Sequence, residues 1–140
     1  MHSRSRLIFV VLVVAQVAHS IEEYLTHLYE ILAPARVISS LFSDDLAVGF
    51  VIFNSIVITI GLWCYFGPVR SGQSSAAVVA WVWAIIEFAN GIGHMVLSVL
   101  ARGYFSGAIS GAVLLCTSVL LAFSLRADAN RSNALASHVA

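Results

Sequence analysis

Four long apolar runs dictate what this chain can become. They cover residues 7–25, 46–66, 76–100 and 104–125, each close to the about 20 apolar residues a helix needs to cross a bilayer. Membrane-spanning strands would alternate apolar and polar positions. These runs are continuously apolar, and an open sheet edge in lipid would leave its backbone unsatisfied. The expected fold is therefore all-α, a four-helix transmembrane bundle forming one domain over residues 1–125. A short polar tail over 126–140 should be frayed or weakly helical. Composition agrees: 60% of residues are hydrophobic and 10% charged, too few polar groups for a separate soluble domain.

Punctuation between the runs is plain. "EILAPARVISSLFSDD" carries Pro34, Arg36, Asp44 and Asp45, "GPVRSGQSS" carries Pro68 and two glycines, and "ARGY" makes the tightest connection. With the N-terminus in the cytoplasm, Arg4, Arg6, Arg70, Arg126 and Arg131 fall inside and only Arg36 and Arg102 outside. The excess of inner positive charge favours that N-in/C-in orientation. Seven basic and seven acidic residues cancel, which leaves no electrostatic case for nucleic acid; the partner is the lipid bilayer. The first run also has the look of a signal peptide, with cleavage after Ser20 removing His19. Its apolar register continues through Ile21, Tyr24, Leu25 and Leu28, and the spanning reading is preferred. Cys64 and Cys116 have no zinc-type spacing and read as small apolar residues.

Against this background the polar residues stand out. At about 100° per residue, Glu22 and Glu23 lie roughly −60° and +40° from His19, so all three project from one face of the first span. In the third span, Asn90 and His94 lie about −60° and −20° from Glu87. Asn54 is the one strongly polar residue within the second span. A rise of about 1.5 Å per residue puts His19, His94, Asn54 and Asn90 within ~9 to 15 Å of the outer boundary. Glu87 comes out deeper, at ~19 Å, and Glu22 and Glu23 shallower, at about 5 Å. An ionised side chain at a span centre costs about 2.5 to 3.5 kcal/mol, so these carboxyls require protons, hydrogen-bond partners or a cation.

His19, Ser20, Ile21, Glu22 and Glu23 spell H-x-x-E-E in the first span of a small four-span chain. This resembles the HXXEE family of small bacterial membrane proteins, whose function is unknown. A polar third span with Glu87, Asn90 and His94 is similar to the family pattern, as is "RGYFSG", with Ser106 standing where proline is expected. The resemblance implies a fold, a multi-pass bacterial inner-membrane location and a set of positions, but no activity.

Chemistry must be argued from the side chains. Two imidazoles and several carboxylates without thiolate suit one divalent transition metal, zinc, iron or manganese. A di-metal carboxylate bundle would draw ligands from all four helices, including two Glu-x-x-His pairs, and these are missing. The expected site has His19, Glu23 and His94 as metal ligands and Glu22 as general base. Glu87, Asn90 and Asn54 form its supporting shell. The reaction class is metal-dependent hydrolysis of a membrane-accessible substrate. Two alternatives use the same residues: a proton or ion pathway, and a purely structural polar network.

Gly103, Gly107 and Gly111 recur every fourth residue at the start of the fourth span. That spacing allows close backbone approach, either to Gly91 and Gly93 within the bundle or across a homodimer. His27 and Glu30 read as a solvated turn, Trp63, Trp81 and Trp83 as interfacial anchors, and His138 as part of the tail.

Overall fold

In the computed structural model, which describes residues 1–137, the chain is built of helices, with no strand among the described residues. The order is α1 (Ser3–Leu25), α2 (Leu28–Ile31), α3 (Ala33–Ser40), α4 (Leu46–Cys64), α5 (Ala76–Leu100) and α6 (Ala108–Ser137); a π-helical turn, Tyr65–Val69, extends α4. α1, α4 with its extension, α5 and α6 are each long and apolar enough to cross a membrane. The four expected spans are present. Large side chains such as Leu7, Val78, Val99 and Ile109 face outward, a surface that a hydrocarbon surround accommodates and water does not.

Helix ends follow local chemistry. α1 stops where the Thr26 hydroxyl donates to the Glu22 carbonyl, 2.7 Å, and His27 turns left-handed at φ 56°. His27 and Glu30 then sit in an exposed turn, with Nδ1 2.9 Å from the Tyr29 hydroxyl. Pro34 lies in the first turn of α3, where its missing N–H has no helical partner to lose. Asp45 caps α4 by accepting from Ala47 N at 2.9 Å and Val48 N at 3.2 Å. The fourth span starts at Ala108 rather than Tyr104, because Arg102 (φ 53°) and Gly107 (φ 79°) adopt left-handed conformations in the connection. α6 then runs past Leu125 to Ser137. Its far half is tied to the N-terminus by Asp128, which accepts from the His2 backbone and the Ser5 hydroxyl, each at 2.8 Å. His138 lies outside the described residues.

α6 packs along both α1 and α5, whereas α4 leans on α1 and α3 and scarcely approaches α5. Phe9, Leu12, Leu114 and Leu121 are fully buried where α1 and α6 meet. α3 folds back against α4 because position 49 is glycine: a Cβ there would come within 2.0 Å of the Ser39 carbonyl oxygen. Gly111 and Gly91 bring α6 against α5, and a Cβ on Gly91 would meet the Gly111 oxygen at 2.6 Å. Gly93 and Gly103 have open space around them. Trp83 corrects the interfacial expectation. It is buried in the core, 6.3 Å from the Phe9 ring, where Gly61 leaves room for its indole. Cys64 is buried in that core, while Cys116 faces outward, and both are free.

Candidate functional site

The polar face of α1 is buried against its neighbours: Gln16, His19, Ser20 and Glu23 all point inward. α5 presents Glu87, Gly91 and His94 on one buried stripe, the i, i+4, i+7 pattern of a helix face. These two stripes meet. One Glu23 carboxylate oxygen, Oε1, lies 3.2 Å from His19 Nε2 and 3.1 Å from His94 Nε2. The two imidazoles stand edge to face with centroids 4.6 Å apart. One ligand atom from each residue falls within 4.8 Å of the others, and all three side chains are buried.

Hydrogen bonds on the far side of each ring decide which atoms face this point. His94 Nδ1 is 2.6 Å from the Ser106 carbonyl oxygen; a carbonyl only accepts, so Nδ1 carries the proton. His19 Nδ1 is 2.8 Å from the Ser110 hydroxyl. That hydroxyl donates its own proton to Glu22 Oε2 and therefore accepts from Nδ1. With both Nδ1 atoms donating, the Nε2 atoms of the neutral rings present lone pairs. Two lone-pair nitrogens and a carboxylate oxygen converge with no donor of their own. A metal ion would satisfy all three at once, and protonation of the imidazoles would instead make each contact with Glu23 an ion pair.

The same Nδ1 partners are those expected behind metal-bound histidines, where a carbonyl, or a hydroxyl backed by a carboxylate, fixes tautomer and ring direction. For metal–ligand bonds near 2.0 to 2.1 Å, the edges of a tetrahedron are about 3.3 Å. The two nitrogen–oxygen separations, 3.2 and 3.1 Å, are close to that value. Gly107 completes the fit: a Cβ there would lie 2.7 Å from His94 Nδ1 and 2.9 Å from His19 Cε1.

Glu22 does not join the three. It faces the start of α6, where Oε2 accepts from Ser110 N at 2.7 Å, and Oε1 accepts from Ile109 N at 3.2 Å and the Tyr104 hydroxyl at 2.7 Å. This is a carboxylate cap on the positive end of α6, supplied by another helix. Partial burial and the bond to Glu22 push the Tyr104 hydroxyl above its ordinary pKa.

Glu87, Asn90 and Asn54 share with Glu23 and His94 a cavity of about 300 Å3 between α3, α4 and α5. Glu87 is 1% exposed and its Oε2 has no hydrogen-bond partner. Asn54 accepts from the Ser20 hydroxyl at 2.8 Å, and Ser20 accepts from Gln16 Nε2 at 3.2 Å. Gln16 Oε1 is left unpaired in the same cavity.

A model of the family described as "Protein of unknown function with HXXEE motif" matches residues 10–122. The chain belongs to this family. No curated protein and no solved structure matches it. The letters of the HXXEE motif divide their work in space: His19 and Glu23, one turn apart, meet His94 of α5, while Glu22 holds α6.

Sequence reasoning gave no role in the site to Gln16, Ser20, Tyr104, Ser106 or Ser110. Gln16 and Ser20 lie one turn either side of His19 along the helix, a signal that was available. The roles of Tyr104, Ser106 and Ser110 depend on how α6 docks, which a span's hydropathy does not encode.

Proposed function

We propose that this member of the HXXEE family is an integral membrane metalloprotein. It holds one divalent transition metal through His19 Nε2, Glu23 and His94 Nε2, with an open coordination position beside the cavity. The observation that supports the reading is the convergence of three buried side chains, His19, Glu23 and His94, with both rings oriented by hydrogen bonds to Ser110 and to the Ser106 carbonyl. Nitrogen and oxygen donors fit zinc, iron or manganese.

An open position on such an ion supports hydrolysis, since a bound metal makes water reactive near neutral pH. In that reaction Glu87 is the better general base. Glu87 lines the cavity and its buried Oε2 has no partner, whereas both Glu22 oxygens are engaged at the start of α6. Glu22 acts instead through Ser110 as a positioning residue for His19. Asn90 and Asn54 line the same space and serve as polar contacts. The sidedness carried by this reading is the arginine-based one, with both termini cytoplasmic and the site nearer the outer surface.

One observation favours a second reading. Separations of 3.1 and 3.2 Å are also within hydrogen-bonding reach, so the same three atoms suit a shared proton in a conducting pathway. Elemental analysis separates the two. Protein extracted gently from its native membrane without chelator is expected to carry one transition-metal ion per chain, and His19→Ala and His94→Ala to lose it. A metal-free wild-type protein, with His19→Ala changing nothing, overturns the metal reading. Proton flux in liposomes, abolished by Glu23→Gln, would then support the second.

A further inference from the structure

The cavity beside the site has a composition that the metal alone does not explain. Its polar lining is Gln16, Glu23, Glu87 and His94 with Asn54, Asn90 and Ser39, and the rest is apolar, among them Phe50, Phe53, Val57 and Ile86. Over the top, Leu28, Leu32 and Ile38 of the α2–α3 segment close it, and the Gly49–Ser39 contact holds that roof against α4. Sideways it is not closed. Apart from the Gly61–Trp83 contact the backbones of α4 and α5 scarcely approach each other, and Ile86, midway along α5, lines the cavity while remaining 52% exposed on the outer face of the bundle. The route in is therefore from the hydrocarbon, between α4 and α5.

Charge selects what can enter. The seven basic residues of the chain are all arginines, at positions 4, 6, 36, 70, 102, 126 and 131, and none lines this cavity. Two carboxyl groups do. The two charges of a divalent ion held there would be offset by the carboxylates of Glu23 and Glu87, so an anionic head would find no net positive charge. By contrast, Glu87 Oε2 and Gln16 Oε1 are buried acceptors without partners on side chains that line the cavity, and a head that donates hydrogen bonds would satisfy them. Size sets the rest: about 300 Å3 lies at the lower end of the range for ligand pockets, about 300 to 1,000 Å3. One chain fits.

We infer that the cavity binds an uncharged single-chain amphiphile of the monoacylglycerol type, entering laterally between α4 and α5. Its hydroxyls meet Glu87 and Gln16, and its acyl chain lies along Phe53, Val57 and Ile86 toward the bilayer. This deepens the metal reading, which it takes as supplying part of the polar lining of the cavity, by naming the substrate class.

The test uses the full chain in nanodiscs of a zwitterionic phospholipid, with a monoacylglycerol carrying a diazirine partway along its chain as probe. After photolysis and peptide mapping, adducts should concentrate on the stretches containing Phe53, Val57 and Ile86. They should be competed by unlabelled monoacylglycerol and fall at least tenfold in Val57→Trp, which fills the mouth. A diazirine fatty acid of the same length should label these stretches at least tenfold less. Labelling spread over outward positions such as Val14, Val78 and Ile109, undiminished labelling in Val57→Trp, or equal labelling by the fatty acid overturns the inference. Metal content is measured on the same samples, and its retention in Val57→Trp shows that the variant folds. Metal-free wild type that still labels the cleft removes the metal reading and leaves this one standing. Full metal occupancy with uniform labelling does the reverse.

Discussion

Gly107 is the residue on which both imidazoles close. It combines two constraints that no other position in the connection shares: a left-handed φ of 79° and ring atoms of His94 within 2.7 Å of where a Cβ would stand. A side chain in that conformation costs roughly 1 to 2 kcal/mol before any clash. Gly107→Ala should therefore lower thermal stability by at least that much and displace His94 or His19, abolishing stoichiometric metal binding. Gly93→Ala, with nothing within 4 Å of its Cβ position, should leave both unchanged. Thermal unfolding and elemental analysis of the two variants check this, and an equal response would show that the close approach carries no weight. At this scale His19, Glu23 and His94 were legible in sequence because intramembrane ionisable groups on a helical stripe have to be compensated. Where Glu22 points was not legible. Consecutive residues on a helix differ by about 100°, and only the docking of α6 decides that Glu22 turns to it.

At the scale of elements, the start of α6 does two things at once. Its N–H groups at Ile109 and Ser110 take the Glu22 carboxylate, and its Ser110 hydroxyl passes that charge on to His19 Nδ1. The cap and the site are thus one hydrogen-bonded unit, which makes separable predictions. Removing a partner behind a metal-bound histidine typically costs 10- to 100-fold in metal affinity, and Ser110→Ala should do so. Ser106→Ala keeps the backbone carbonyl that receives His94 Nδ1 and should retain affinity. Glu22→Gln should weaken metal binding like Ser110→Ala and also destabilise the bundle by about 1 kcal/mol, as lost caps do. Competition titration with a zinc chelator reads the first effect and thermal unfolding the second; Ser106→Ala weakening affinity as much as Ser110→Ala would contradict the unit described. Three of the four spans were legible to within a few residues because continuous apolarity is a strong signal. The fourth misled at both ends. Tyr104 belongs to a connection bent by Arg102 and Gly107, and the polar stretch after Leu125 stays helical with Asp128 bound to Ser5 and His2.

For the whole molecule the asymmetry of packing matters more than the number of spans. α6 joins α1 and α5 into a trio, and its contacts with α1 are apolar in the middle, at Phe9, Leu12, Leu114 and Leu121, and polar at both ends. α4 stands apart. It buries only Gly49, Phe50, Asn54, Gly61 and Cys64, leans on α1 and α3, and leaves the cavity between itself and α5. Regions with few buried apolar contacts open at lower free energy than the rest, so α3 and α4 should move as a unit against the trio. Their hinge would be the π-helical turn at Tyr65–Val69 on one side, a distortion common at functional positions, and the left-handed His27 on the other. Such a motion widens the gap beside Ile86 without disturbing His19, Glu23 or His94, since none of the three belongs to α3 or α4. Hydrogen exchange in nanodiscs should then show α3 and the first half of α4 exchanging at least tenfold faster than the matching depths of α1 and α6, slowed by bound monoacylglycerol but not by added zinc. Uniform protection across the four spans, or slowing by zinc alone, would mean that the site and the opening are mechanically one and that the trio does not stand by itself.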